Sequence, residues 1–277
     1  MAALLALFSA ATYGVGDFCG GLAARKIPAT TVLLWSHLLG LTLLLVSTVF
    51  VAGDPEAGDL VIGAIGGLAG AAGVGLLYKG LAVGQMSVVA PITALLSAAV
   101  PVIAGYAEGE RPGGTAVVGM ALAFVAIVLV SAEGGGTLRP SDLRSVLYAL
   151  GAGLGFGCFF VFLSHTGDDA GMWPLVAARG ASVIVVGSVA LLGFIPRTPP
   201  IPSTRELTAA AGALDALANV LYLVAVRQGL LSVVTVLAAL YPVSTVVLAH
   251  FVLHERFAKV QVAGMALALP AVVLMAV

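Results

Sequence analysis

Charge is what this sequence has least of. Asp, Glu, Lys and Arg make up 9% of its 277 residues, against about 25% in a soluble globular domain. So little polar surface cannot cover a globule in water, and a water-soluble fold is excluded. The 12 basic and 13 acidic residues leave a net charge of −1, which removes the basic footprint that a nucleic-acid partner needs. Cysteine is nearly absent as well. Cys19 and Cys158 both fall in apolar runs, which fits packing and argues against a disulfide framework. No phosphate-binding loop, dinucleotide fingerprint or zinc spacing occurs, so no cofactor or metal is expected and ATP is not the driving force. The stretch from Met1 to Gly14 carries no Lys or Arg, so it reads as a membrane span and not as a cleaved signal.

What is present is hydrophobic length. Apolar residues make up 61% of the chain and mean hydropathy is +1.14. Apolar stretches of about 20 residues, each enough for a helix to cross ~30 Å of hydrocarbon, recur along it. The breaks between them predict an all-α membrane protein of ten spans, at 2–24, 29–52, 59–83, 87–108, 113–132, 143–165, 171–195, 206–228, 232–253 and 258–277. Its partners are then the lipid bilayer and a small-molecule substrate, in a multi-pass cell-membrane protein, with the bacterial inner membrane as the expected location and a monomer or homodimer as the expected state.

Two stretches say nearly the same thing. Ser87-Val88-Val89 leads to Glu110-Arg111 and Gly119-Met120-Ala121-Leu122-Ala123, while Ser232-Val233-Val234 leads to Glu255-Arg256 and Gly264-Met265-Ala266-Leu267-Ala268. Every anchor is displaced by 145 positions, which marks an internal repeat. The halves are expected at 1–133 and 143–277, with a polar linker at 134–142. Five spans per half is an odd number, so the second half enters the membrane from the opposite side. Inverted repeats of this kind mark secondary transporters, whose substrate site lies near the midplane between the halves. Pro91 and Pro101 in span 4 and Pro242 in span 9 place broken or proline-bearing helices in matching positions, which points to the same region.

Most acidic residues fall in loops or at span ends, but Asp17 and Asp215 do not. A carboxylate well inside a span normally faces a cavity or a partner and is a functional candidate. Asp17 follows Tyr13 by four residues, on one helix face. Asp215, Asn219 and Tyr222 follow the i, i+4, i+7 pattern and form a polar stripe on span 8. They read as substrate or proton ligands; the plainer reading pairs Asp215 with Arg179 to hold the halves together. Arg179 keeps its proton, so it needs a permanent partner or an anionic substrate group. His37 titrates in the physiological range and is a candidate for coupling to protons, although a lone histidine in an apolar helix is more often only a packed, hydrogen-bonded residue. Tyr78 and Tyr222 hold near-equivalent places in the two halves and are candidates for an aromatic lining, as is Tyr241 beside Pro242. Glu110 and Glu255 adjoin Arg111 and Arg256 and read as short-loop ion pairs at the membrane boundary.

With these residues in view, the chain resembles the EamA-type ten-helix transporters of the drug/metabolite transporter superfamily. The resemblance covers nearly the whole length. It rests on the span lengths, on Tyr13-Gly14 in span 1, on Arg179 in the second span of the second half, and on Pro242 thirteen residues before Glu255-Arg256 with Gly264 after them. The first half departs from the pattern: Ser97 stands where Pro242 would repeat, with its proline displaced to Pro101, and Ser36 or His37 stands near the place of Arg179. The family implies efflux or exchange of small metabolites by alternating access, through a cavity lined mainly by spans 1, 3, 4, 6, 8 and 9. Amino acids and amphipathic amines are the expected substrates, with protons as a coupling ion or, alternatively, facilitated flow without ion coupling.

An enzymatic alternative is Gly14-Val15-Gly16-Asp17, which matches the GxGD signature of intramembrane aspartyl proteases, with Asp215 as second carboxylate. That family places its other aspartate before the GxGD helix, and a protease does not account for the repeat. Orientation has two readings. Loops after the odd spans carry most Lys and Arg, including Arg25, Lys26, Arg144, Arg205 and Lys259, and the others only Arg111 and Arg227. The positive-inside rule then puts both termini outside the cytoplasm, whereas ten-helix members of the family keep both inside.

Overall fold

In hydrocarbon every backbone N–H and C=O must be satisfied within the segment, which leaves helices as the way for these apolar runs to cross. The computed structural model describes residues 1–83, 86–131, 143–196, 199–253 and 258–276, and its regular elements are helices α1 (Ala2–Ala24), α2 (Ala29–Phe50), α3 (Ala57–Val83), α4 (Met86–Ala107), α5 (Gly114–Ser131), α6 (Leu143–Ser164), α7 (Trp173–Leu191), α8 (Pro202–Val226), α9 (Leu231–Ala238), α10 (Pro242–Leu253) and α11 (Lys259–Ala276). A short 3₁₀ turn covers Asp168–Ala170. Among the described residues, ten segments are long and apolar enough to span a membrane, with α9 and α10 together making one of them. The expected linker at 134–142, with Glu133, Glu255 and Arg256, lies outside the described residues. Large apolar side chains such as Phe50, Ile103, Leu191, Phe251 and Leu269 point outward, more than half exposed. That surface suits lipid and not water.

The α-helical pairs with the most extensive packing are α3 on α6 and α1 on α8, followed by α5 on α11. The close approaches are reciprocal. A Cβ on Gly119 of α5 would lie 2.7 Å from Met275 and 3.1 Å from Leu274 of α11, and a Cβ on Gly264 of α11 would lie 2.8 Å from Leu129 and 2.5 Å from the Val130 nitrogen of α5. Leu129 and Val130 stand 145 positions before Leu274 and Met275. The start of α5 therefore packs on the end of α11 and the converse, as two antiparallel copies related by a two-fold axis would. Gly67 and Gly212 make a second such pair. The first lies against the backbone of Ala178 and the second against that of Ser36, which makes Ser36 and Ala178 counterparts. The next residues, His37 and Arg179, are then counterparts too.

Two boundaries differ from expectation. Span 7 ends at Leu191 and not at 195, because Gly193 takes a φ of 86°. Its N–H bonds to Ala190 and that of Phe194 to Val189, a Schellman stop that the apolar Phe194-Ile195 concealed. Helix α8 starts at Pro202 and not at 206, since proline at the first helical position gives up an N–H that has no partner there anyway. The span at 232–253, expected to be broken or proline-bearing, is broken into α9 and α10. Pro242 has no N–H for the Ala238 carbonyl, and the Tyr241 N–H takes it at 3.3 Å in a tighter turn. Helix α4, with Pro91 and Pro101 inside it, runs unbroken.

Candidate functional site

The break between α9 and α10 opens beside the middle of α1. Tyr241's carbonyl accepts the Thr245 N–H at 3.3 Å and the hydroxyls of Ser244 at 2.8 Å and Thr245 at 3.2 Å, and the Thr245 hydroxyl also reaches Gly14's carbonyl at 3.3 Å. Gly14 lies so close to Ser244 and to Tyr241's carbonyl that a side chain at Gly14 has no room. This contact walls a small cavity of about 40 Å³ between the two halves.

Seven of the ten residues singled out from the sequence line it: Tyr13, Asp17, Ser97, Arg179, Asp215, Asn219 and Tyr241. His37, Tyr78 and Tyr222 do not. Tyr222 is fully buried, with its ring 4.3 Å from that of Phe160 and its hydroxyl 2.8 Å from Thr235. Tyr78 is buried against Gly20 of α1. The expected lining by spans 1, 3, 4, 6, 8 and 9 is present, with Arg179 of α7 in addition.

The polar side chains form one continuous chain across four helices. Tyr13 of α1 donates its hydroxyl to Asn219 Oδ1 at 2.7 Å, and Asn219 Nδ2 donates back along α8 to the Asp215 carbonyl at 2.6 Å. Arg179 of α7 forms an ion pair with the Asp215 carboxylate. The same guanidinium donates to His37 Nε2 at 2.8 Å, and His37 Nδ1 lies 2.6 Å from Ser182 Oγ. Arginine only donates, so Nε2 must be the acceptor. His37 is therefore the neutral tautomer that carries its proton on Nδ1 and gives it to Ser182. His37 orients Arg179, and Arg179 is held by its own counterpart from the other half.

Arg179 is 9% exposed and Asp215 24%, so the pair is desolvated on one side and open to the cavity on the other. An unpaired charge at this depth would cost several kcal/mol. The pairing also bears on the dyad expected for an aspartyl protease. Two carboxylates must share a proton there, whereas Asp215 is committed to Arg179. Glu110 departs from its expected loop ion pair. Its carboxylate accepts the Leu231 and Ser232 N–H groups at 2.5 and 3.0 Å, capping α9, while Arg111 turns to the carbonyls of Tyr106 and Glu110. Two free N–H groups at a helix start, with the helix dipole behind them, hold a carboxylate better than one exposed arginine does.

The residues that sequence reasoning missed are the aromatic wall of α6, made by Phe156, Phe159 and Phe160, and, beside Gly70 in the floor of α3, Gly67 and Val74. The repeat holds a signal for both. Gly70 and Val74 are the counterparts of Asp215 and Asn219, and the position 145 after Tyr13 is Cys158, next to Phe159.

The fold is similar to that of a solved structure described only as a crystal structure of a protein, with a TM-score of 0.78 and 16% identity over 99% of this chain and 95% of that one. At that identity the likeness is one of fold alone. No curated protein matches the chain. The EamA-like transporter family matches residues 1–132 and 143–277. With ten membrane-spanning helices and a family match across both halves, the chain is a multi-pass membrane protein that belongs to the EamA-like transporter family, within the drug/metabolite transporters.

Proposed function

We propose that this protein is a secondary transporter that moves small metabolites, such as amino acids or amphipathic amines, by alternating access, as an exporter or exchanger in the bacterial inner membrane. The observation that carries the reading is the small cavity between the halves, in which Arg179 pairs with Asp215 and Tyr13 donates to Asn219, itself bonded to the Asp215 backbone carbonyl. A polar network of this size in the apolar interior has a cost, and a structural scaffold would not need it.

At about 40 Å³ the cavity holds a water or two, whereas sites for small organic ligands run to about 300 Å³ and more. A solute therefore enters only when helices move apart. The units that rock are the two five-helix halves, 1–133 and 143–277, and the reciprocal glycine contacts of α5 with α11 support the inverted repeat. Without a nucleotide-binding motif, the drive is an ion gradient such as protons, a counter-substrate or downhill flow. The excess of Lys and Arg in loops after odd spans supports termini outside the cytoplasm.

A flux screen in proteoliposomes against amino acids, amines and nucleosides tests the reading. A solute taken up faster than by protein-free liposomes is expected, and Asp215→Asn abolishes that flux while the purified protein stays folded. Wild-type flux in Asp215→Asn would remove Asp215 from the mechanism. If protons are coupled, an imposed pH gradient changes the flux; a flat response makes the protein a facilitator.

A further inference from the structure

The charges around the cavity do not balance, and the excess has a sign. Among the described residues, three charged side chains face it: Asp17, Arg179 and Asp215. Arg179 and Asp215 neutralise each other. Arg179 is further engaged by His37, so its guanidinium is occupied on two sides. Asp17 has no such partner. Among the described residues it makes no ion pair and accepts no hydrogen bond. It lies within electrostatic range of the phenols of Tyr13, Tyr78 and Tyr241, but the Tyr13 hydroxyl is given to Asn219. The Tyr241 hydroxyl, on a residue 9% exposed that lines the same cavity, is buried without any partner.

Two unmet polar groups, one of them a carboxylate, thus share a pocket with the side chains of Phe156, Phe159 and Phe160 in its wall. A half-buried carboxylate that shares a cavity with aromatic rings and a free phenol is the arrangement that holds an ammonium group. The charge is compensated by the carboxylate, ring faces attract a cation, and the phenol oxygen accepts an N–H. A metal ion would need more oxygen ligands than one carboxylate supplies, and no group of three His, Cys, Asp or Glu suited to one occurs among the described residues. An anion would have to displace Asp215 from Arg179 while Asp17 repels it.

Building on the transporter reading above, we propose that the cavity selects an organic ammonium with an aromatic or apolar body, bound through Asp17 with Tyr241 as the second ligand, and not a carboxylate or a zwitterion. Arg179 and Asp215 serve as the neutral floor of the site. A lone carboxylate inside a span also suits a proton, but a proton needs neither the ring wall nor the free phenol.

Three probes share a phenylethyl body and differ in charge: phenethylamine (a cation), phenylalanine (a zwitterion) and 3-phenylpropionate (an anion). Calorimetric titration of the purified full-length protein is expected to show phenethylamine binding at least about tenfold tighter than either other probe. Asp17→Asn is expected to lose about tenfold for the amine, Asp17→Glu to keep most of the affinity, and Tyr241→Phe to lose a few-fold. Equal or tighter binding of phenylalanine or phenylpropionate overturns the proposal, as does amine affinity in Asp17→Asn within about twofold of wild type, or no binding of any probe. Should Asp17→Asn fail to purify as a folded species, the wild-type charge preference and the Asp17→Glu and Tyr241→Phe affinities decide the matter. Proteoliposome flux of the same probes separates the two readings. Asp17-dependent binding of the amine without flux removes the transporter reading and leaves the recognition. Phenylalanine flux indifferent to Asp17 does the reverse.

Discussion

The two halves of this molecule share a frame and differ in what they place in the cavity. Gly119 and Gly264 make the same close approach to opposite ends of each other's helices, and Gly67 and Gly212 lie against matching backbones. At the cavity the likeness stops. The second half contributes Asp215, Asn219 and Tyr241, where the first has Gly70, Val74 and Leu96; Gly70 and Val74 face the same space as their counterparts. His37 and Arg179, which are counterparts, touch each other, and only one of them is a permanent cation. The difference has a physical reason. A second Arg–Asp pair in a cavity of about 40 Å³ would add two more desolvated ions at several kcal/mol each, and would leave no room for a solute. Symmetry suits the walls that must exchange positions; asymmetry suits the contents that must recognise one ligand.

The largest effect comes from making the halves alike. His37→Arg sets a second guanidinium against Arg179, and two like charges about 4 Å apart repel by about 4 kcal/mol at the effective dielectric of a protein interior. Unfolding of the detergent-solubilised protein should show a loss of that order. Exchanging the two residues, as His37→Arg with Arg179→His, should recover at least about half of it. If the double variant is no better than the single, the two positions are not equivalent. Next is Arg179→Ala, which strands Asp215 and is expected to cost about 3 kcal/mol, the low end for a broken buried pair because Asp215 keeps access to the cavity. The same unfolding measurement reads it, and a loss below about 1 kcal/mol would reduce the pair to a surface contact.

Smaller effects sharpen the comparison away from the cavity. Glu110→Gln removes the charged cap of α9, at about 1 kcal/mol, and amide exchange at Leu231 and Ser232 should quicken several-fold while the centre of α5 is unaffected. Tyr222→Phe loses one hydrogen bond to Thr235, about 1 kcal/mol. Because Tyr222 does not line the cavity, solute flux in that variant stays at the wild-type level; a loss of flux would bring Tyr222 back into the site.

The spans and their number were legible because hydrophobic length is a strong signal, and the repeat because three anchors held one register. At Pro242 the sequence left two readings, a broken helix or one that only bears a proline, since α4 carries Pro91 and Pro101 without breaking; the break is set by the tighter turn in which the Tyr241 N–H takes the Ala238 carbonyl. Asp215 and Arg179 were found because charge inside a span is rare, and their pairing was one of two readings that only the packing of both α7 and α8 against α2 separates. Phe159 and Phe160 were missed because phenylalanine in an apolar helix looks the same whether it faces lipid, a neighbour or a cavity. Glu110 was misread because its neighbour in sequence, Arg111, is not its neighbour in space: the free N–H groups of α9, which begins 121 residues later at Leu231, are.

In the proposed mechanism the space between the halves opens to one side at a time. Counterflow in proteoliposomes tests it most directly, with vesicles preloaded with whichever unlabelled solute gives flux and labelled solute added outside. Label should transiently accumulate above its outside concentration, and the overshoot should disappear in Asp215→Asn. Uptake no faster than in protein-free vesicles, or an overshoot of equal size in wild type and Asp215→Asn, would contradict it.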